Sequence, residues 1–299
     1  MTTAPPNGLP ILKPPSLGDH LRALVGRWET IRYLTTSALK AGQRDKVLGH
    51  LWNILDPMMF MLVYYFVFGV LFGLAGGGRS IDFMLYIFSG VLTFTFFSAS
   101  VNQAANCIRA NRGLIHEISF PKGVFPVSVV LARLYDYAWG LVVLVAFLLI
   151  GGIWPTVHYL WVPLVIGLLV MLTLGSVFIV AYLGAYFADM ANIVNVAMRL
   201  MFYTSPIFYF VRDLHRQVVE NGVVHDVVRY KALFHNQTAY MLYMANPFSA
   251  LLECLRDAMM WGRAPDPMLL GYGGVISALV LVVGFAVFVR GEGKFAKCI

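Results

Sequence analysis

Residues 137–188 run for 52 positions without a lysine, arginine, aspartate or glutamate. A backbone in so apolar a setting must satisfy its own hydrogen bonds, and about 20 apolar helical residues suffice to cross a bilayer's hydrocarbon core. The run is therefore read as two spans, divided at Gly151, Gly152, Trp154 and Pro155. Charge-free stretches at 57–78, 83–108 and 268–289 supply three more. A weaker sixth, between Asp189 and Arg212, carries Arg199 and is interrupted by Pro206. The expectation is an all-α membrane protein with six transmembrane helices, at about 57–78, 83–106, 127–150, 160–187, 192–211 and 268–289. Charged residues make up 12% of the chain, against about 25% in soluble domains, which leaves little mass for an aqueous catalytic module.

Basic residues orient these spans. Fifteen of the 22 Lys and Arg fall on one side if the N-terminus is inside, seven of them before the first span. The short outer loops around 79 and 151–159 hold only Arg79. Both termini are thus expected in the cytoplasm, and no secretory signal peptide opens the chain. The net charge of +7 follows from this placement and does not point to nucleic acid.

Residues 1–20, rich in proline, read as a mobile cytoplasmic tail. Over 21–50, Leu21, Leu24, Trp28, Ile31, Leu34 and Ala38 recur at helical spacing, with Arg22, Arg32 and Lys40 largely off the stripe. This is either an amphipathic interface helix in the inner headgroup plane or a cytoplasmic helix packed on the bundle. Residues 51–299 form the transmembrane domain. Asp56 before Pro57 has the form of a helix N-cap, Gly69 and Gly73 fit a GxxxG contact, and Gly76, Gly77 and Gly78 a tight turn. The long segment 212–267 is expected to be structured, with short helices dipping into the outer leaflet.

Little here suggests chemistry. The three cysteines, Cys107, Cys254 and Cys298, are far apart, and the seven histidines have no metal-ligand spacing. Arg133 and Asp136, three apart, are read as the only opposite-charge pair well inside a hydrophobic stretch. The central spans lack the buried acids of a proton-coupled carrier. Aromatic residues crowd spans one, two and five, among them Tyr64, Tyr65, Phe68, Phe97, Tyr203 and Tyr209. They are either core packing or a path on which sugar rings slide. The loop after span two, RANRGLIHEISFPKGVFP, sets Leu114, Ile115 and Ile118 among charges, an apolar edge suited to a partner protein.

Three local patterns, together covering most of the chain from Trp28, resemble the permease subunits of type-2 ABC transporters that export polysaccharides such as O-antigen, capsule, teichoic acid or galactan. They are RDKVLGHLWNILDPMMFMLVYYFVFG at 44–69, NRGLIHEISFPKGVFP at 111–126, and FADMANIVNVAMRLMFYTSPIFY at 187–209 joined to NPFSALLECLRDAMMWGRAPD at 246–266. The resemblance implies a multi-pass inner-membrane homodimer that works with two copies of a separate ATP-binding subunit. That subunit would bind ATP and Mg; this chain would bind no cofactor or metal and catalyse no reaction. It also implies a coupling helix, to which Arg109, Asn111, Leu114, Ile115, His116, Glu117, Phe120 and Pro121 would belong, outer gate helices between 237 and 261, and a lipid-linked glycan threading past spans one and five. One departure is Ala188 before Asp189, where relatives often carry arginine, so no contact with the ATPase is carried over there. The same architecture with a drug or lipid as cargo is an alternative. So is a membrane transferase acting on lipid-linked sugars, with Asp82 and Asp189 as its span-flanking carboxylates.

Overall fold

The computed structural model describes residues 17–43, 51–52, 55, 58–59, 62–63, 65–71, 80–117, 121–210, 214–220, 223–230, 240, 243–293 and 295. Along the chain come α1 (Leu17–Val25), α2 (Trp28–Gln43), a π-helical stretch at Tyr65–Leu71, α3 (Ser80–Ala110), the short α4 (Arg112–Glu117) and α5 (Val124–Ile150). They are followed by a 3₁₀ turn (Val157–Leu160), α6 (Trp161–Tyr186), α7 (Met190–Thr204), α8 (Pro247–Met259) and α9 (Pro267–Glu292). Between α7 and α8 lies an antiparallel ribbon, β1 (Leu214–Glu220) with β2 (Val223–Tyr230), in which Leu214 pairs with Tyr230 and Glu220 with Val223. The ribbon adds one hairpin to an otherwise helical fold. Adjacent valines at 218–219, 223–224 and 227–228 favour strands there, and Asn221 and Gly222, a strong hairpin signal, stand between them in the sequence.

Four helices are long and apolar enough to cross a membrane: Asp82–Ala110, Val124–Ile150, Val157–Tyr186 and Pro267–Glu292. They match four of the six predicted spans. The segment predicted at 192–211 forms a helix only as far as Thr204; 15 residues extend ~22 Å, short of the ~30 Å hydrocarbon core. The start at Asp56 and Pro57, the Gly69–Gly73 contact, the glycine turn at 76–78 and most of the 57–78 span lie outside the described residues. The helix begins at Leu17, inside the stretch read as a tail, and a turn at Gly26 and Arg27 divides the predicted amphipathic helix in two.

Local chemistry explains the ends of these helices. Pro126 is tolerated in the first turn of α5, where its missing N–H costs nothing. The same helix stops where Gly152 takes φ +74° and the Ile153 amide bonds back to the Leu148 carbonyl at 2.8 Å, a Schellman stop. Asn246 caps α8 by accepting from the Phe248 amide at 3.1 Å, and Asp266 caps α9 from Met268 at 2.9 Å. In both cases proline follows the cap.

The core centres on α3. Over its most apolar window 78% of residues are buried, against 22% in α5 and in α9, so α3 is the hub and the other two face the surroundings. Helices α6 and α9 approach backbone to backbone at Gly175 and Gly284. A Cβ on Gly175 would meet the Val280 carbonyl carbon at 2.5 Å, and one on Gly284 would collide with the Gly175 carbonyl. Gly184 of α6 lies equally close to the Ala105 backbone of α3. Close packing of this kind holds helices together where lipid supplies no hydrophobic drive.

Candidate functional site

Helices α3 and α7 run antiparallel and leave a cleft of about 590 Å³ between them. From α3 it is lined by Val91, Phe94, Thr95, Ser98, Ala99 and Asn102, one helical face at spacings of three and four. From α7 come Asn195, Met198, Arg199, Phe202 and Tyr203. Phe94 meets Phe202 edge to face at 5.2 Å. The walls are therefore mixed, with aromatic rings beside amide and hydroxyl groups. Thr95 spends its hydroxyl on the Val91 carbonyl at 2.7 Å, while the Asn102 amide donates to Ser98 Oγ at 3.2 Å. Asn102 Oδ1 is buried and accepts no hydrogen bond.

The structure separates the aromatic residues singled out in the sequence. Tyr203 lines the cleft and is 58% exposed. Its carbonyl accepts from the hydroxyls of Tyr209 at 3.2 Å and Tyr243 at 3.1 Å, and these two rings meet at 5.5 Å. Burial pushes the Tyr243 phenol up to about 12, so it remains a donor at neutral pH. Phe97 is buried, with its ring 5.4 Å from Phe248 of α8, and it is Phe94 that reaches the cleft from α3. Tyr65 and Phe68 lie on the π-helical stretch, and their side chains, like all of Tyr64, fall outside the described residues.

At the other end of the bundle a short helix, α4, follows α3. Asn111 closes α3 by donating its side-chain amide to the Cys107 carbonyl at 2.7 Å, and Arg109 reaches the Ala185 carbonyl of α6 at 3.5 Å. Helix α4 contains His116 and Glu117. It exposes Leu114 (38%) and buries Ile115 (7%). Pro121 accepts from the Val124 amide at 3.2 Å, and Phe120 is outside the described residues. Next to it, Lys122 donates its amide to Glu292 Oε1 and its ammonium to the Glu292 carbonyl at 3.0 Å. His20 of α1 lies 3.9 Å from the same carboxylate. Leu24 and Ile31 bury against Val124, whereas Leu21, Trp28 and Tyr33 remain exposed. The N-terminal helices, α4 and the end of α9 thus share one end of the bundle.

Arg133 and Asp136 do pair, at 3.4 Å, and Arg133 also donates to Gln103 at 3.0 Å. They are not the only such pair. Glu253 and Arg256, one turn apart on α8, lie 2.8 Å apart and are wholly buried. Each of the five guanidinium N–H groups finds an acceptor. Nε donates to Ser89 Oγ, Nη1 to Glu253 and the Pro206 carbonyl, and Nη2 to the carbonyls of Tyr86 and Ile207. The guanidinium also lies 3.5 Å from the centre of the Tyr86 ring. Pro206 and Ile207 belong to the non-helical segment after α7, whose freed carbonyls need such donors at membrane depth. The sequence signal for this pair is the spacing Glu253-x-x-Arg256 inside an apolar run.

Among the described residues no group of three or more His, Cys, Asp and Glu side chains could hold a metal. Long apolar helices around a polar cleft, with a structured face at one end, define a multi-pass membrane permease. Residues 29–219 match the ABC-2 type transporter family, and the chain belongs to it. It is 30% identical to the O-antigen export system permease protein RfbA of Myxococcus xanthus over 238 residues, 77% of this chain and 88% of that protein. A Klebsiella pneumoniae RfbA is 25% identical over 267 residues, covering 88% and 92%. The polysialic acid transport protein KpsM of Escherichia coli is 23% identical over 247 residues, covering 81% and 85%.

Proposed function

We propose that this chain is the permease subunit of an ATP-driven exporter that carries a lipid-linked polysaccharide from the cytoplasm across the inner membrane. The observation that carries this reading is the cleft between α3 and α7, whose rings and amides suit a hydroxylated chain, in a protein whose relatives are named for O-antigen and polysialic acid. Rings can lie on the apolar faces of sugars while amides and hydroxyls bond their edges. The six-span topology is completed by a first span at 57–78 and by α7 with its clamped turn. Both termini lie in the cytoplasm, a reading supported by the meeting of α1, Lys122 and the end of α9 at Glu292. Helix α4 is the coupling helix on which two copies of an ATP-binding subunit push, and that subunit holds ATP and Mg. Two copies of the permease form the pathway, with α7, which exposes Ile193, Val196 and Leu200, at or near the contact. Helix α8 serves as an outer gate element, and α1 with α2 rests at the inner interface.

Depleting the chain in its native cell tests the reading. Lipid-linked glycan should accumulate on the cytoplasmic side while surface glycan falls, and the purified chain should hydrolyse no ATP without its partner. Normal surface glycan, or a drug or unglycosylated lipid as the accumulated species, would refute a polysaccharide cargo.

A further inference from the structure

Arg199 is unlike the other arginines at membrane depth. Arg133 is paired with Asp136, and Arg256 has every N–H engaged. Among the described residues Arg199 makes no hydrogen bond or ion pair, and none of those lining the cleft it borders is a carboxylate. Its depth follows from packing. Phe202 sits against Phe94, and α3 and α7 are antiparallel, so Arg199, three residues earlier, lies level with about residue 97 of α3. That is near the middle of a helix spanning 80–110 and ~20 Å from its cytoplasmic end. An uncompensated cation there is expensive in hydrocarbon, which is why ionisable groups inside membranes usually face a pathway. The neighbouring polar groups are Asn195 and Asn102, the latter with an idle acceptor.

We infer that the cleft binds an oxyanion, and that Arg199 is the residue that recognises the phosphate linkage between lipid and glycan as it passes mid-membrane. The inference rests on the export reading above and adds the part of the cargo that is held. A guanidinium suits this task because its planar donors match two phosphate oxygens at once. The amides beside it offer partners to the first sugar hydroxyls, so the charged linkage and the uncharged glycan meet different groups in one cleft.

The test uses the full chain with its ATP-binding partner in phosphatidylcholine nanodiscs. Three probes are compared: geranylgeranyl diphosphate, geranylgeraniol and inorganic pyrophosphate. The lipid diphosphate should bind about ten- to a hundredfold more tightly than the alcohol. Arg199→Gln should erase that preference, Arg199→Lys should keep part of it, and neither should alter the melting temperature, because Arg199 holds nothing in place. An undiminished preference in R199Q would overturn the inference. Pyrophosphate binding as tightly as the lipid diphosphate would overturn assignment to a lipid-borne group. In cells, deletion of the chain without loss of surface glycan defeats the export reading, whereas full rescue of a deletion phenotype by R199Q defeats only the role of Arg199.

Discussion

Replacing Arg256 with methionine tests whether one side chain fastens the turn after α7 to the bundle. The guanidinium satisfies two carbonyls of that turn, the Tyr86 carbonyl, the Ser89 hydroxyl and the Glu253 carboxylate, all in a site without solvent. Hydrogen bonds to a charged group contribute about 1.5–3 kcal/mol each, but they share one donor group and do not add. The governing term is the orphaned carboxylate: removing one partner of a buried ion pair costs about 3–5 kcal/mol. At about 2–4 °C per kcal/mol, R256M should melt roughly 6–20 °C below the wild type in detergent, as followed by tryptophan fluorescence. Adding Glu253→Met should recover part of the loss by removing the stranded charge. The recovery stays incomplete because the carbonyls of Pro206 and Ile207 still lack donors. Gly90 supplies an independent check, since a Cβ there would meet Arg256 Nη2 at 2.5 Å and Ile207 Cα at 3.1 Å. Gly90→Ala should cost about 1–3 kcal/mol, and less in the R256M background. Unchanged melting of R256M, or a double variant less stable than R256M, would refute the reasoning.

The two apolar residues of α4 should part ways. Leu114→Glu is expected to keep the wild-type melting temperature while uncoupling the partner's ATPase from cargo, whereas Ile115→Glu should lower stability by about 2 kcal/mol or more, both read by melting and by ATPase assay of the complex. Gly175→Leu and Gly284→Leu should each abolish monodisperse yield in size-exclusion chromatography, because backbone of the facing helix occupies the space; Gly271, with nothing within 4 Å of its would-be Cβ, should accept alanine without loss. Phe97→Ala should destabilise by about 3–5 kcal/mol, while Tyr203→Ala should leave melting nearly unchanged and reduce surface glycan. The reverse pattern would place the sugar path on the Phe97 face of α3.

Much of this protein was legible from single stretches of chain. Charge-free runs predicted four long helices to within a few residues at most ends, and the 111–126 pattern located the short helix carrying Leu114 and Ile115. Legibility failed where two distant segments meet. Phe94 and Phe97 are equally aromatic, three residues apart and both packed on Phe248, yet only Phe94 also lines the cleft. The β-ribbon is less legible, because paired valines set among charged residues also suit a polar connector.

The sequence by itself determined four helices long and apolar enough to cross a membrane. In lipid a backbone must close its hydrogen bonds within its own helix, so a span is a local property of composition. Tertiary structure alone decided which polar groups are spent and which are available. Arg256 is saturated by carbonyls 49 to 170 residues away along the chain, while Arg199 faces an open cleft. Glu253 and Asp257 beside Arg256, and Met198 and Leu200 beside Arg199, are visible in the sequence, but the carbonyls that saturate the one and the cleft beside the other depend on which helices pack together.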